Sequence, residues 1–558
     1  MGKENNNFIL NFNLYKLTSF DKLFKKERKK LANGCNQNAT GLCSTAEGNN
    51  TTASGSFSHA EGLSTTASGS ASHAEGFQTF ATTDTAHAEG NRSTASGSAS
   101  HAEGFQTLAN ANTAHAEGNN TTASGVASHA EGFGTTASGA HSHAEGSNTR
   151  SLHLYSHAEG NLTTASGIAS HAEGENTIAS GLVSHAEGQG TIAQGESSHA
   201  EGDQTRAEGR ASHAEGNLTV ARGSFAHAEG QRTTAIGDLS HAEGNQTQAI
   251  GQNSHAEGAL SIASGFTSHA EGVNTVASGL FSHTEGQSTN ANSLEGVHVM
   301  GKFGAANELS YSWYLANGTD TSTPGLAAKI LSNGNVKIDG TVSTPAADYA
   351  ELFETSDGNP IDFGYFVTLE EDKIRIANDQ DDYILGVTSA KPAILANSGE
   401  LRWKNKYLTS DWGEVLYEDI TLPPIFDDDG NEVVPQRNER RQILNPEWDH
   451  SKEYIPRIQR PEWVAVGMIG QLLVRDDSTC KTGGYCKPNS IGVATASDQG
   501  YRVLKRTNQN QVLIVAPQLY RNSFSNLVNQ LEKLANLREE GYLTEEEFQI
   551  AKKNLLNL

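Results

Sequence analysis

A chain of 558 residues with a formal net charge of −25, 57 glycines and 35% hydrophobic residues has room for several domains, yet much of its mass is not ordinary apolar core. The acidic balance argues against a nucleic-acid partner and for a soluble, self-repelling object. Four cysteines are few, and their spacing matches no strong zinc pattern.

Residues 1–44 contain no recognisable secretory signal, because Phe8, Ile9 and Leu10 are too short an apolar run and no cleavage motif follows. Residues 14–32 read as a basic amphipathic helix, with Leu17, Phe20, Leu23, Phe24 and Leu31 on one side and Lys22, Lys25, Lys26, Lys29 and Lys30 interleaved. Such a helix suits docking to a larger particle, a membrane surface, or a cap on the segment that follows. No transmembrane segment is present in the sequence given.

From 45 to 289 a histidine recurs every fourteen residues, seventeen times, from His59, His73 and His87 to His255, His269 and His283. A fixed period is architecture rather than an active site. Each unit has two halves of the form small-x-small-x-Gly, such as Thr51 to Gly55 and Ser58 to Gly62. That period of two predicts a strand with one face restricted to tiny side chains, followed by a glycine turn. Two strands and two turns make one coil of a parallel β-solenoid, each coil stacking on the last. Thr83, Ala111 and His153, at the first-half glycine position, read as local turn variants.

The small-x-Ala-x-Gly coil at this period resembles the left-handed β-roll heads of trimeric autotransporter adhesins, the YadA-like or Hep_Hag repeats. The resemblance implies three rolls packed side by side as a homotrimer, which suits a narrow interior that buries little apolar area per coil. Seventeen coils at about 4.8 Å each give a rod about 80 Å long. Autotransporters end in a membrane β-barrel, a part this sequence does not show.

The x positions of the second half hold His and Glu throughout: His59 with Glu61, His129 with Glu131, His283 with Glu285. The first-half x positions vary freely, as in Thr52, Phe80, Arg150 and Ile178. One strand is constrained and the other is not, so the His/Glu ladder is expected at subunit interfaces and the variable strand in solvent. Imidazole and carboxylate are ligands for first-row metals, and imidazole titrates near neutrality. A neutral imidazole hydrogen-bonded to a glutamate is the favoured reading, with no metal and no cofactor expected.

Residues 290–347 read as a β-rich neck with a turn at Asn333-Gly334-Asn335. Then comes Asp348-Tyr349-Ala350-Glu351, followed by Gly364-Tyr365-Phe366-Val367-Thr368, Tyr383-Ile384-Leu385-Gly386, Arg460-Pro461-Glu462-Trp463 and Gly484-Tyr485-Cys486-Lys487-Pro488-Asn489. These elements, over 348–520, resemble the peptidase G2 family, the self-cleaving intramolecular chaperone domain of bacteriophage appendage proteins. The resemblance implies a domain that helps three chains trimerise and then severs itself near Asp348, with Asp348 and Glu351 as the catalytic pair; the bond between Ala347 and Asp348 is the expected position. Two carboxylates can divide acid and base roles when their environments separate their pKa values. Where some members have a hydroxyl residue before the Asp, this chain has Ala347, so an N-to-O acyl shift at that bond is impossible. Carboxylate-assisted hydrolysis, cleavage upstream at Ser343 or Thr344, and a domain that folds without cutting stay open. Cys480 and Cys486 either close a small loop or sit reduced in a turn.

Residues 521–558 read as a helical hairpin. Leu527, Leu531, Leu534 and Leu537 form a stripe ending at Gly541, and Thr544 to Glu547 is a capping box opening a second helix. This pattern resembles the SHOCT domain. The whole reads as a mainly β homotrimeric fibre of a virion appendage, matured by one self-cleavage and bound to an unidentified host-surface receptor. The alternative is a cell-surface or spore-surface adhesin that never cuts. A polysaccharide depolymerase is disfavoured, because the repeats offer no singular acidic cleft.

Overall fold

The computed structural model describes residues 35–399, 405–426, 430–516 and 523–556, so the basic stretch at 14–32 lies outside the described residues. The chain divides into two compact units, one comprising the residues up to Gly340 together with Phe426–Val434, the other the remainder.

The first unit is a parallel roll. Strand His59–Leu63 pairs with His73–Phe77 in register, His59 opposite His73, Ala60 opposite Ala74 and Glu61 opposite Glu75. The second strand of each coil does the same, Thr66 opposite Phe80 and Ala67 opposite Ala81. Main-chain bonds tie each coil to the next, as from His59 N–H to the Ser72 carbonyl at 2.9 Å. Two alanine columns fill the interior, Ala60 and Ala67 among them, each 0% exposed. Ser58 Oγ donates to the Gly55 carbonyl at 2.7 Å, a bond repeated down the serine column and one that satisfies a buried hydroxyl.

Glycine is required at one column for a specific reason. Gly62 has φ +108°, and a Cβ there would overlap the carbonyl oxygen of Gly76 in the next coil. The turns also place non-glycine residues in the left-handed region, such as Ala71 (φ +54°) and Gln78 (φ +56°), which stacking on identical turns must hold there. Thr83, Ala111 and His153 preserve the turn bond, each accepting at 3.2 Å from the N–H three residues on.

The stack continues past the seventeen repeats. His298 of strand His298–Ala305 pairs with His283 at a spacing of fifteen rather than fourteen, and Trp313–Asn317 pairs with His298–Ala305 in turn. Here Val297, Val299, Tyr314 and Leu331 replace the alanines as core. The unit closes with antiparallel strands Leu326–Ile330 and Val336–Ile338.

The second unit is built on a ten-stranded sheet. Strand Asp348–Glu354 lies between Ile394–Ala396, with which it is parallel, and the long Trp463–Arg475, with which it is antiparallel. Phe366, Val474, Val503 and Ile514 anchor one core cluster and Val367, Ile374 and Val466 another. Cys480 and Cys486 are buried, unbridged thiols. The neighbouring Cys486 first, and burial second, push the Cys480 thiol up from its ordinary value, so it stays protonated.

Helices Ser523–Glu539 and Glu545–Leu556 complete the chain. Gly541, at φ +77°, follows the first. Thr544 N–H donates to Glu547 at 2.9 Å while Glu547 N–H donates to Thr544 Oγ1 at 3.3 Å, the reciprocal box read from sequence. Among the described residues no helix is long and apolar enough to cross a membrane. The mainly β class, the parallel roll of fourteen-residue coils and the C-terminal helical hairpin agree with the sequence reading.

Candidate functional site

Two places concentrate chemistry, and the first is the histidine ladder. In-register pairing stacks every imidazole on the next, with ring centroids 4.9 Å apart between His59 and His73 and 4.5 Å between His283 and His298. Every ring of the ladder but that of His157 has a carboxylate within 4.0 Å: His59 Nε2 is 3.7 Å from Glu61, His129 is 3.6 Å from Glu131 and His283 is 3.7 Å from Glu271. Glu285 is taken instead by His298, at 3.4 Å. Burial first, and the adjacent imidazole second, lower the pKa of His87, His115 and His129.

The carboxylates form a column of their own, and like charges in register interact. Glu201 is raised to about 7 through hydrogen bonding with Glu215 and Glu187. Triples such as His101, Glu103 and His115 bring their ligand atoms within 4.8 Å of one another. Their rings stack in nearly parallel planes, 6° apart in tilt for His101 and His115. The in-plane nitrogen lone pairs therefore run parallel rather than converging, and two neighbouring histidines of one chain cannot chelate one ion without leaving the stack.

The second place is the start of strand Asp348–Glu354. Alternation along the strand buries Asp348, Ala350 and Leu352 on one face and turns Tyr349 and Glu351 to the other. Asp348 is 7% exposed, and its Oδ2 accepts a 2.6 Å hydrogen bond from Ser389 Oγ. Glu351 is half-buried and accepts from Tyr349 Oη at 2.7 Å. The structure thus places the two sequence-predicted carboxylates on opposite faces of one strand and does not bring them together within a chain.

Sequence reasoning missed several neighbours of the Ala347-Asp348 bond. Ala347 is exposed, so water reaches it from one side. Its carbonyl oxygen accepts from Gln471 N–H at 3.1 Å. Ser389 lies 41 residues from Asp348 and carried no signal. The glycines at 467 and 470, inside an otherwise strongly β-forming run, were a legible one. Upstream, Thr344 Oγ1 donates to the Ala346 carbonyl at 2.8 Å.

Residues 299–512 match the Peptidase_G2 family, the IMC autoproteolytic cleavage domain, and segments between 158 and 282 match the YadA head domain repeat. The pre-neck appendage protein of Bacillus phage B103 is 36% identical over 170 residues, 30% of this chain and 18% of that protein. The pre-neck appendage protein of Bacillus phage phi29 is 37% identical over 168 residues, again 30% and 18%. The crystal structure of a C-terminal fragment of the phi29 gene product 12 is 33% identical and covers 30% of this chain and 100% of the fragment, with a TM-score of 0.25. The chain therefore spans less than a fifth of the length of these phage relatives.

Proposed function

The chain carries YadA head repeats joined to a Peptidase_G2 autoproteolytic domain, and we propose that it is the subunit of a homotrimeric phage appendage whose C-terminal unit guides assembly and then cuts itself away at Ala347-Asp348. The observation that carries this reading is the match of 299–512 to the autoproteolytic family, with the Asp-Tyr-Ala-Glu element placed so that a buried Asp348 follows an exposed Ala347. The repeats form the head, with the His/Glu ladder toward neighbouring chains and the variable strand toward a host-surface receptor. The N-terminal basic segment docks the fibre to the particle.

Water is the nucleophile. Glu351, supplied across a chain boundary, takes a proton from water as its oxygen bonds to the Ala347 carbonyl carbon. The bond to Asp348 nitrogen breaks as the proton held by Glu351 passes to the leaving amine, while the Asp348 carboxyl orients that amide. Discarding the guide makes the assembled fold kinetically hard to reverse. Intact mass spectrometry of the freshly expressed chain tests the reading: pieces 1–347 and 348–558 are expected from the wild type and one full-length species from Glu351→Ala. A wild type that stays whole for days leaves a non-cleaving adhesin.

A further inference from the structure

Strand Trp463–Arg475 carries two glycines in its interior, where glycine ordinarily weakens a strand; one lies against the Asp348 side chain and the other against the Ala347-Asp348 peptide bond. A Cβ on Gly467 would crowd Leu472 and stand 3.2 Å from Asp348 Oδ2. A Cβ on Gly470 would overlap the Ala347 carbonyl oxygen and stand 2.9 Å from Asp348 Cα. Gly470 also has φ +111°, a conformation that L side chains rarely adopt.

The pairing slips at the same place. Tyr349 faces Ile469 but Ala350 faces Gly467, so Met468 is an extra residue in the long strand. Bulges of this kind re-aim backbone groups and recur beside active sites. On the Asp348 side of the bulge the register holds, Asp348 opposite Gly470, which sets Gln471 beside Ala347 with its N–H donating to the Ala347 carbonyl oxygen at 3.1 Å.

We infer that Gly470 and the Gln471 amide form the carbonyl-holding half of the cleavage site, an inference that rests on the reading of Ala347-Asp348 as the bond cut. As water oxygen adds to the Ala347 carbon, the carbonyl electron pair moves onto the Ala347 oxygen. The Gln471 N–H is already in place to stabilise that charge, with no reorganisation at the moment of reaction. When the pair returns, the carbon–nitrogen bond breaks and Asp348 nitrogen takes the proton. The close approach to the Ala347 carbonyl and the positive φ at 470 admit glycine alone.

The test follows self-cleavage of the full chain by intact mass. Replacing Gln471 with its α-hydroxy acid by nonsense suppression turns the N–H into an ester oxygen and leaves the side chain unchanged. Loss of one oxyanion donor is expected to slow cleavage by about 100- to 1,000-fold. Gly470→Ala should slow it at least as much. Gly364→Ala is the control for strain, since Gly364 has φ +86° and stands against Arg475 rather than the cleaved bond. Equal losses in Gly364→Ala and Gly470→Ala, or an ester variant that cuts as fast as wild type, overturn the assignment. A wild-type chain that never cuts overturns the cleavage reading itself, and this assignment with it.

Discussion

His171 reaches back across a coil boundary to Glu159, its Nε2 3.7 Å from Oε1, whereas every histidine from His59 to His143 pairs with the glutamate two residues ahead. The backward pairing then persists through His283. The ladder therefore has two phases, and His157 stands at their boundary. Its ring stacks on both neighbours at 4.8 and 4.7 Å, so the change of partner does not break the stack. The partner changes direction once, between His143 and His171, and keeps it on either side.

The ladder makes stability depend on pH. Burial is the largest cause and adjacent imidazoles the next in lowering His73, His87, His115, His129 and His157. A histidine whose folded pKa is depressed binds fewer protons than in the unfolded chain, so its stabilising share is full above about 6.5 and is lost as pH falls below that value. Glu201, raised to about 7, acts in the opposite sense, losing its share as pH rises from about 4.5 through 7, but it is one group against many. Melts of the full chain at pH 7.5 and 5.5 should show the β-roll transition several degrees lower at the acid pH. Equal melting temperatures would mean that the rings are as solvated in the fold as out of it.

Gly174→Ala should open the roll locally. Gly174 has φ +99°, and a Cβ would overlap the Gly188 carbonyl oxygen. Strain of this kind costs about 1–3 kcal/mol. In a stack whose coils touch only their neighbours, the damage stays near the site. Limited proteolysis should yield a new cut close to residue 174, with the circular dichroism of the remaining roll preserved.

The repeats were legible because a two-residue period and a fourteen-residue period coincide, so that Ala60, Ala74 and Ala88 announce one buried column. His298 was not, since its spacing of fifteen breaks the count although its ring completes the stack. The left-handed turns at Ala71 and Gln78 were hidden for a different reason: neither residue prefers that conformation, and stacking imposes it. At the second site Asp348 and Glu351 could be named from their motif, but their opposite faces follow from strand alternation only once the segment is known to be a strand. Ser389 meets Asp348 through a tertiary contact that no local pattern encodes.

Assembly is the next expectation. The roll's interior holds only alanine, serine and threonine, while side chains such as Phe57, Phe133 and Val183 are exposed in the single chain. An interior so small contributes little burial per coil, and packing against neighbouring chains is expected to supply the rest. Multi-angle light scattering should give three times the chain mass. A stable folded monomer would show that coil stacking alone suffices.

Tyr349 and Glu351 supply the last prediction, which bears on proton transfer in the proposed cleavage. Tyr349 Oη donates to Glu351 Oε1 at 2.7 Å, and this bond, the largest cause, raises the tyrosine pKa because it favours the protonated phenol. The same bond fixes the orientation of the Glu351 carboxylate. If Glu351 is the base, how that carboxylate is aimed sets the cleavage rate. Tyr349→Phe removes the donor without removing the ring, so the Glu351 carboxylate loses the partner that holds it. Cleavage should then slow without being lost. Glu351→Ala should abolish cleavage while leaving the assembly intact. Cleavage rates measured by intact mass decide the matter: a Tyr349→Phe chain that cuts at the wild-type rate, or a Glu351→Ala chain that still cuts, would put the base elsewhere.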